Sequence, residues 1–379
     1  MNLSQKLIIS VAITLTATSV YGQQTKLMTY NIGSSNWSTT KDSVIARVIT
    51  NDPDVFCAIE AGQNNRPYLE SSLSDYRMLQ TFGGSPQLTD SHIFLRKYMF
   101  TVVDSGYTQM DTYGGYTGIG RYVNWARLQN NSSGSEFIVY ASHFVATVGA
   151  TADSATIGQY RHADRMVQLM DQHTSQNNPQ ITVGDFNARR QKDVMKFLLN
   201  QTPVSFNSTT ITNPMVLDDS WEIANPTTLK PATTSSGSSA IDWILITPNT
   251  NVINAIIDSQ GVDGNGNYPS DHLPLQITFD LPVNTKIADK ENDIKVKVFT
   301  NPFHDHVQFE IELKNPERIF IQIYDIKGRL IKSRKIEEIK ARKYKIRLDL
   351  SDLSAKIFLY RVISNEQLKT GLIIKNILF

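Results

Sequence analysis

Six short apolar runs in this chain each meet a polar residue of a reactive type at one end. Asn31 closes Lys26-Leu27-Met28-Thr29-Tyr30, and Glu60 closes Val55-Phe56-Cys57-Ala58-Ile59. His143 closes 136–143, and Asp185 and Asn187 close the run that starts at Ile181. Asp242 lies in Ile241-Asp242-Trp243-Ile244-Leu245-Ile246, and Asp271 and His272 open the run that ends at Phe279. Runs this short, rich in β-branched and aromatic residues, read as strands. Further strands are read at 92–96 and 121–128. Between them, Val44, Ile45, Val48 and Ile49 repeat at helical spacing, as do Ala163, Met166, Val167 and Met170, and a short helix is read over 192–199. Many short strands mixed with a few helices predict a layered α/β sandwich. Side-by-side strands would bring the polar ends into one cleft.

Composition bounds the rest. A chain of 379 residues, 40% apolar and 19% charged, can bury real cores and is neither disordered nor collagen-like. One cysteine, Cys57, excludes an internal disulfide framework and any multi-cysteine zinc site; set in an apolar run, it reads as a small core residue. The formal charge of +1 hides a break. Residues 23–282 carry 16 Lys+Arg against 23 Asp+Glu, whereas 283–379 carry 20 against 13. Such asymmetry points to two units with different tasks.

Residues 1–22 read as an export signal. Lys6 supplies the positive start, Leu7 to Leu15 the apolar stretch, and Val20-Tyr21-Gly22 a cleavage site. The stretch is shorter than the ~20 residues a membrane span needs, so no stable membrane insertion is expected. The catalytic-type unit is then 23–281, followed by a polar linker over 282–295 and a second unit over 296–379. The second unit alternates apolar and polar residues, as in Val307-Phe309-Ile311-Leu313 and Ile319-Ile321-Ile323, with a turn at Asp325-Ile326-Lys327-Gly328. It reads as a small antiparallel β-sandwich. Ser-, Thr-, Gly- and Asn-rich loops are read at 145–158, 203–215, 232–240 and 259–270.

Alone, each strand-end residue has a plainer reading: Asn and Asp close strands because they make turns. Together they would be four carboxylates, two amides and two imidazoles. Carboxylates and amide oxygens are hard ligands for Mg²⁺, Mn²⁺ or Ca²⁺. Such an ion polarises a phosphoryl oxygen, a carboxylate deprotonates water, and imidazoles donate to phosphate as charge builds. The inventory is that of a metal-assisted phosphoester hydrolase.

Thr29-Tyr30-Asn31, Ala58-Ile59-Glu60, Ala141-Ser142-His143, Gly184-Asp185-Phe186-Asn187, Ile241-Asp242-Trp243-Ile244 and Ser270-Asp271-His272-Leu273-Pro274 stand in the order of the endonuclease/exonuclease/phosphatase superfamily. Over 25–281 the chain resembles its deoxyribonuclease-I-like branch. The resemblance implies a four-layered α/β/β/α sandwich with its cleft across two packed sheets. It implies metal binding by Glu60, with Asn31 and Asp271 beside it, for Mg²⁺ or Mn²⁺ and with Ca²⁺ as a helper. It implies activation of water by Asp185, oriented by Asn187. His272, held by Asp242, and His143 would face phosphate, as would Arg121 ahead of its strand. The digestive deoxyribonucleases give the first histidine an acidic partner; here the nearest candidate is Asp90, displaced from that position. The loop Ile32-Gly33-Ser34-Ser35-Asn36 lacks the basic residue with which some relatives touch DNA.

Residues 296–379 resemble the C-terminal domain that directs cargo to the type IX secretion system of Bacteroidetes. Thr300-Asn301-Pro302-Phe303, Ile323 to Arg329, Asp349 to Leu353 and Lys369 to Lys375 carry that likeness; Ala355-Lys356-Ile357-Phe358 departs from it. The partner implied is the outer-membrane secretion machinery, and the location secreted or cell surface. An accessory β-domain for an anionic partner is the plainer reading.

The expected activity is a monomeric, secreted, metal-dependent phosphodiesterase acting on nucleic acid. A lipid or small-molecule phosphoesterase, sphingomyelinase-like or inositol-phosphate-cleaving, is the alternative, and a surface protein that merely keeps the fold is a third. The acidic first unit, with no Lys or Arg in 231–281, lacks the basic stripe of a firm polynucleotide binder. Of the other histidines, His162 and His173 are expected at the surface or in a second layer. His304 and His306 form an HxH pair without further ligands nearby.

Overall fold

The computed structural model describes residues 24–33, 37–79, 91–110, 121–146, 152–176, 178–206, 208–261, 267–281, 294–313, 317–325, 330–339, 343–353, 357–364 and 367–376. The export signal, most of the linker, Asp90, residues 34–36 and turn residues 326–328 lie outside them.

The first unit runs β1 (Gln24–Asn31), α1 (Trp37–Asn51), β2 (Val55–Ile59), α2 (Arg66–Ser72), β3 (Tyr76–Leu79), β4 (His92–Arg96), β5 (Phe100–Gln109), β6 (Tyr122–Asn130) and β7 (Glu136–His143). It continues with α3 (Ala152–Asp171), β8 (Gln180–Asp185), α4 (Asp193–Leu198), β9 (Val204–Phe206), β10 (Thr209–Ile211), β11 (Asp218–Asp219), α5 (Ser220–Ala224), β12 (Asp242–Ile246), β13 (Asn251–Ile257) and β14 (Leu275–Asp280). Two six-stranded sheets result, ordered β13-β14-β1-β2-β4-β3 and β11-β12-β8-β7-β6-β5.

The sheets face each other through one apolar layer. Leu27, Val55, Cys57, Ile93 and Ile277 of the first meet Ala126, Val139, Val183 and Ile244 of the second. Alternation sends the intervening residues outward. Met28, Tyr30 and Phe56 therefore meet Val44, Val48 and Leu69 of α1 and α2. Ile138, Tyr140, Trp243 and Leu245 meet Ala163, Met166 and Val167 of α3 and Val194 and Phe197 of α4. Each large side chain buried in these layers contributes roughly 1.5–3 kcal/mol. The order is helix, sheet, sheet, helix, the four-layered sandwich expected.

The second unit comprises β15 (Lys295–Phe299), β16 (His306–Glu312), β17 (Glu317–Tyr324), β18 (Leu330–Ile339), β19 (Lys343–Asp349), β20 (Ile357–Ser364) and β21 (Gln367–Ile374). A three-stranded sheet, β15-β16-β19, packs on a four-stranded one, β18-β17-β20-β21. The pairings between these strands are antiparallel, a parallel bridge joins Phe303 to Lys375, and Val307, Phe309, Ile311, Ile319, Ile321, Ile323 and Val362 fill the interface.

Some local expectations change. The helix read near 160–173 starts at Ala152, inside the loop read at 145–158. The 203–215 loop holds the β9–β10 hairpin. β3, β5 and β13 were not among the runs read as strands; their mixed or edge character gives no clean alternation, and in β5 a bulge between Val102 and Asp104 shifts the pattern. His162, buried and accepting from the Val145 amide at 3.2 Å, and His173, stacked on Tyr140, take the second-layer position of the two expected. Among the described residues no helix is long and apolar enough to cross a membrane.

Candidate active site

The second sheet carries a row of polar residues across its end. Asp242 pairs with Asp185, and Asp185 with His143. All three share the inward-facing parity of Ile244, Val183 and Ala141, so their side chains point toward the first sheet. Asn31 and Glu60 come from that first sheet, where β1 and β2 run parallel with Asn31 opposite Ile59.

Glu60 follows β2 with φ 59°, a left-handed turn that aims its carboxylate across the cleft. Asn31 Nδ2 donates to Glu60 Oε1 at 3.0 Å and to Asp185 Oδ2 at 3.1 Å, while Asn31 Oδ1 accepts from the Gly33 amide at 2.9 Å. A Cβ on Gly33 would stand 2.0 Å from Glu60 Oε2, so a larger residue there would push that carboxylate from its place. Gly184 has φ 144°, and a Cβ there would meet the Ser142 carbonyl at 1.8 Å. Glycine is thus required where β8 delivers Asp185 beside β7.

Asp185 is buried and accepts from the Asn187 amide at 2.8 Å. Burial pushes its carboxyl up, Asp242 adds to the rise, and the His143 and His272 imidazoles oppose it, leaving it at about 6. His272 lies 3.6 Å from Asp185 through Nε2 and 2.7 Å from Asp242 Oδ2 through Nδ1. Burial alone would lower its pKa, but Asp242, Asp185 and Asp271 outweigh burial and hold it at about 10. The carboxylates around His272 thus favour its protonated ring. It does not open the final strand, as its run had implied: β14 starts at Leu275, and His272 sits ahead of it, bridged to Thr234.

His143 takes a different partner. Arg121 Nη1 stands 2.5 Å from His143 Nδ1. A guanidinium only donates, so Nδ1 accepts and a neutral ring keeps its proton on Nε2. That Nε2 lies 3.6 Å from Asp185 and 3.9 Å from Glu60. The anticipated acidic candidate, Asp90, is outside the described residues. Asn187 has φ 50°, and its side-chain Nδ2, distinct from the backbone N–H that bonds Asp185, donates to the Phe144 carbonyl at 3.0 Å and lies 3.2 Å from His143 Nε2.

Two groups of ligand atoms lie within 4.8 Å of one another: Glu60, His143 and Asp185, and Asp185, Asp242 and His272. The exposed Asp271 belongs to neither; it stays on the rim, bonded to Ser270 and to the Ser235 amide. Oxygen donors from Glu60 and Asp185 around the space kept by Gly33 suit a hard divalent cation. For Asn31 to join through oxygen, its amide must turn over and release Gly33.

Other supports escaped the strand-end reading because they lie in Ser/Thr-rich loops. Ser270 Oγ reaches the carbonyls of Asn31 and Gly33 at 2.8 and 2.9 Å, tying the His272 segment to the first sheet. Thr233 Oγ1 accepts from the Asp242 amide at 3.0 Å. Lys230 Nζ stands 3.7 Å from the Trp243 ring centre and 3.9 Å from Asp219 Oδ1, and burial lowers its pKa to about 8. Trp243 in turn donates to the Ala188 carbonyl at 2.9 Å, so Lys230 backs the strand that carries Asp242.

Two helix-covered sheets with this cluster at their ends define a hydrolase fold of the deoxyribonuclease-I-like type. Residues 28–272 match the Endonuclease/Exonuclease/phosphatase family, and the chain belongs to it. Residues 297–376 match the secretion system C-terminal sorting domain, which implies secretion or display at the cell surface. Solved structures with the same fold include an endonuclease/exonuclease/phosphatase from Bacteroides vulgatus, 19% identical, covering 68% of this chain and 99% of that one with TM-score 0.55. The mannosyl-6-phosphatase of Bacteroides thetaiotaomicron is 18% identical, covering 67% and 99%, TM-score 0.53. The human Nocturnin catalytic domain with bound sulfate is 20% identical, covering 68% and 95%, TM-score 0.52. No curated protein matches.

Proposed function

We propose that the protein is a secreted phosphodiesterase, dependent on Mg²⁺ or Mn²⁺, that cleaves nucleic acid. The observation that carries this reading is the convergence of Glu60, His143, Asp185, Asp242 and His272 from both sheets within hydrogen-bonding and ligand distances. Glu60 would hold the cation, with Asn31 joining once its amide has turned over and Asp271 reaching it from the rim through water. When bound, the cation would polarise a phosphoryl oxygen and stabilise the leaving oxyanion.

The chain's own groups divide the rest. Asp185, whose proton affinity burial and the neighbouring Asp242 raise, would take a proton from an attacking water. The Asn187 amide fixes that carboxylate through Oδ1. His272, clamped by Asp242, donates Nε2–H to a phosphate oxygen as charge builds. His143 offers Nε2–H from the other side, its ring fixed by Arg121, whose charge also draws the phosphate. The C-terminal unit would engage the secretion machinery of the type IX pathway.

A second reading, hydrolysis of a small phosphomonoester such as a sugar phosphate, is favoured by the acidic first unit and by the likeness to a mannosyl-6-phosphatase. The full chain should be assayed on plasmid DNA, bis(p-nitrophenyl) phosphate, p-nitrophenyl phosphate and mannose 6-phosphate, with Mg²⁺ or Mn²⁺ and with EDTA. We expect the diesters to be cut and EDTA to stop it. A preference for the monoesters would replace the first reading with the second.

A further inference from the structure

The polar row of the second sheet extends beyond the residues used above. Val123 pairs with Ser142, so one step further Tyr122 stands opposite His143; Gln109 of β5 pairs with Tyr122. The row is therefore Gln109, Tyr122, His143, Asp185, Asp242. Tyr122 has the inward parity of Ala126 and Leu128. Strands are spaced by ~4.8 Å, which sets Tyr122 about 5 Å from His143 and about 10 Å from Asp185 along the sheet.

Tyr107 completes the feature. It pairs with Asn124, one step behind Tyr122 on the same face. It reaches that face only because of the bulge between Val102 and Asp104, since the alternation that turns Phe100 and the partly buried Val102 inward would otherwise turn Tyr107 away. The two rings lie 5.9 Å apart at 58°, and Tyr107 is 44% exposed. This half-exposed tyrosine pair, on the catalytic face beside the arginine that reaches His143, belongs to neither apolar cluster of the described residues of the first unit's second sheet. Aromatic rings set against a phosphate path hold bases by stacking, whatever the base.

We propose that Tyr107 and Tyr122 form a stacking subsite for the nucleobase next to the scissile phosphate. Arg121 and His143 take the phosphate, and the adjoining rings take its base. The subsite gives an acidic protein a grip on polynucleotide that does not need a basic stripe. It rests on the nucleic-acid phosphodiesterase reading and adds to it the place where a base is held.

The test uses the full chain with Mn²⁺, oligothymidylate, and the same backbone built from abasic tetrahydrofuran units. The wild type should prefer the base-bearing strand by about tenfold or more in kcat/KM, mostly through KM. Tyr107→Ala should bring the base-bearing strand down to near the abasic one, with kcat within about twofold. Tyr122→Phe, which keeps the ring, should keep the preference, and Tyr122→Leu should lose it. Equal cleavage of both strands by the wild type, or a Tyr107→Ala loss that is the same for both, would overturn the subsite and leave the phosphodiesterase standing. Cleavage of neither strand would overturn the nuclease reading and the subsite with it.

Discussion

The two units solve the same packing problem with opposite uses of polarity. The second buries alternate aliphatic residues between two antiparallel sheets, and among its described residues Ser364 is the one polar side chain buried. The first also packs sheet on sheet, yet buries Asn31, His143, Asp185, Asp242 and His272 at one end of that packing. Buried polar groups cost stability unless bonded, and here they are bonded chiefly to one another. The cost is concentrated where chemistry can use it. Among its described residues the second unit shows no such concentration.

Breaking the polar cluster should give the largest effect. Asp185→Asn should lower kcat about 10³-fold, and His272→Gln about 10²-fold or more, with the melting temperature nearly unchanged. A variant that keeps its activity would remove the base or the imidazole from the mechanism. Gly33→Ala sharpens the same point, because the new Cβ must displace the Glu60 carboxylate. The Mg²⁺ concentration for half-maximal activity should rise about 10- to 100-fold.

The apolar core of the second unit predicts the converse. Phe309→Ala should cost roughly 3–5 kcal/mol of that unit's stability, read by calorimetry, with kcat on a soluble diester unaltered. A fall in kcat would mean that the two units are coupled.

The smallest effect concerns Lys230. Its ammonium is charged in the folded protein below about pH 8 and in the unfolded chain up to about 10.5. Between these values the unfolded chain binds more protons, so the contribution of Lys230 to stability rises with pH, by about 3 kcal/mol at most. The gap in melting temperature between wild type and Lys230→Met should therefore change through pH 8–10. A constant gap would mean that the amine titrates alike in both states.

Much of this was legible in the sequence, because strand alternation ties a reactive residue at the end of an apolar run to a definite face. Asn31, Glu60, His143, Asp185 and Asp242 all sit at strand ends or one residue past them. His272 was found for its neighbours but placed on the wrong element, since Leu273-Pro274 extends the apolar texture beyond the true start of β14. The Arg121–His143 pairing was not legible; it depends on the β6–β7 register, which no local pattern reports. Ser270, Thr233 and Lys230 lacked a signal because isolated hydroxyls and a single lysine in polar loops look like ordinary surface. Tyr107 was hidden by the bulge that aims it.

The most direct test of the account is hydrolysis of bis(p-nitrophenyl) phosphate by the purified full chain, before and after EDTA, beside Asp185→Asn. The convergence of strand ends on one cation-dependent centre predicts turnover that EDTA abolishes, that added Mg²⁺ or Mn²⁺ restores, and that Asp185→Asn lacks under every condition. Turnover that persists in EDTA, or that survives in Asp185→Asn, would contradict it.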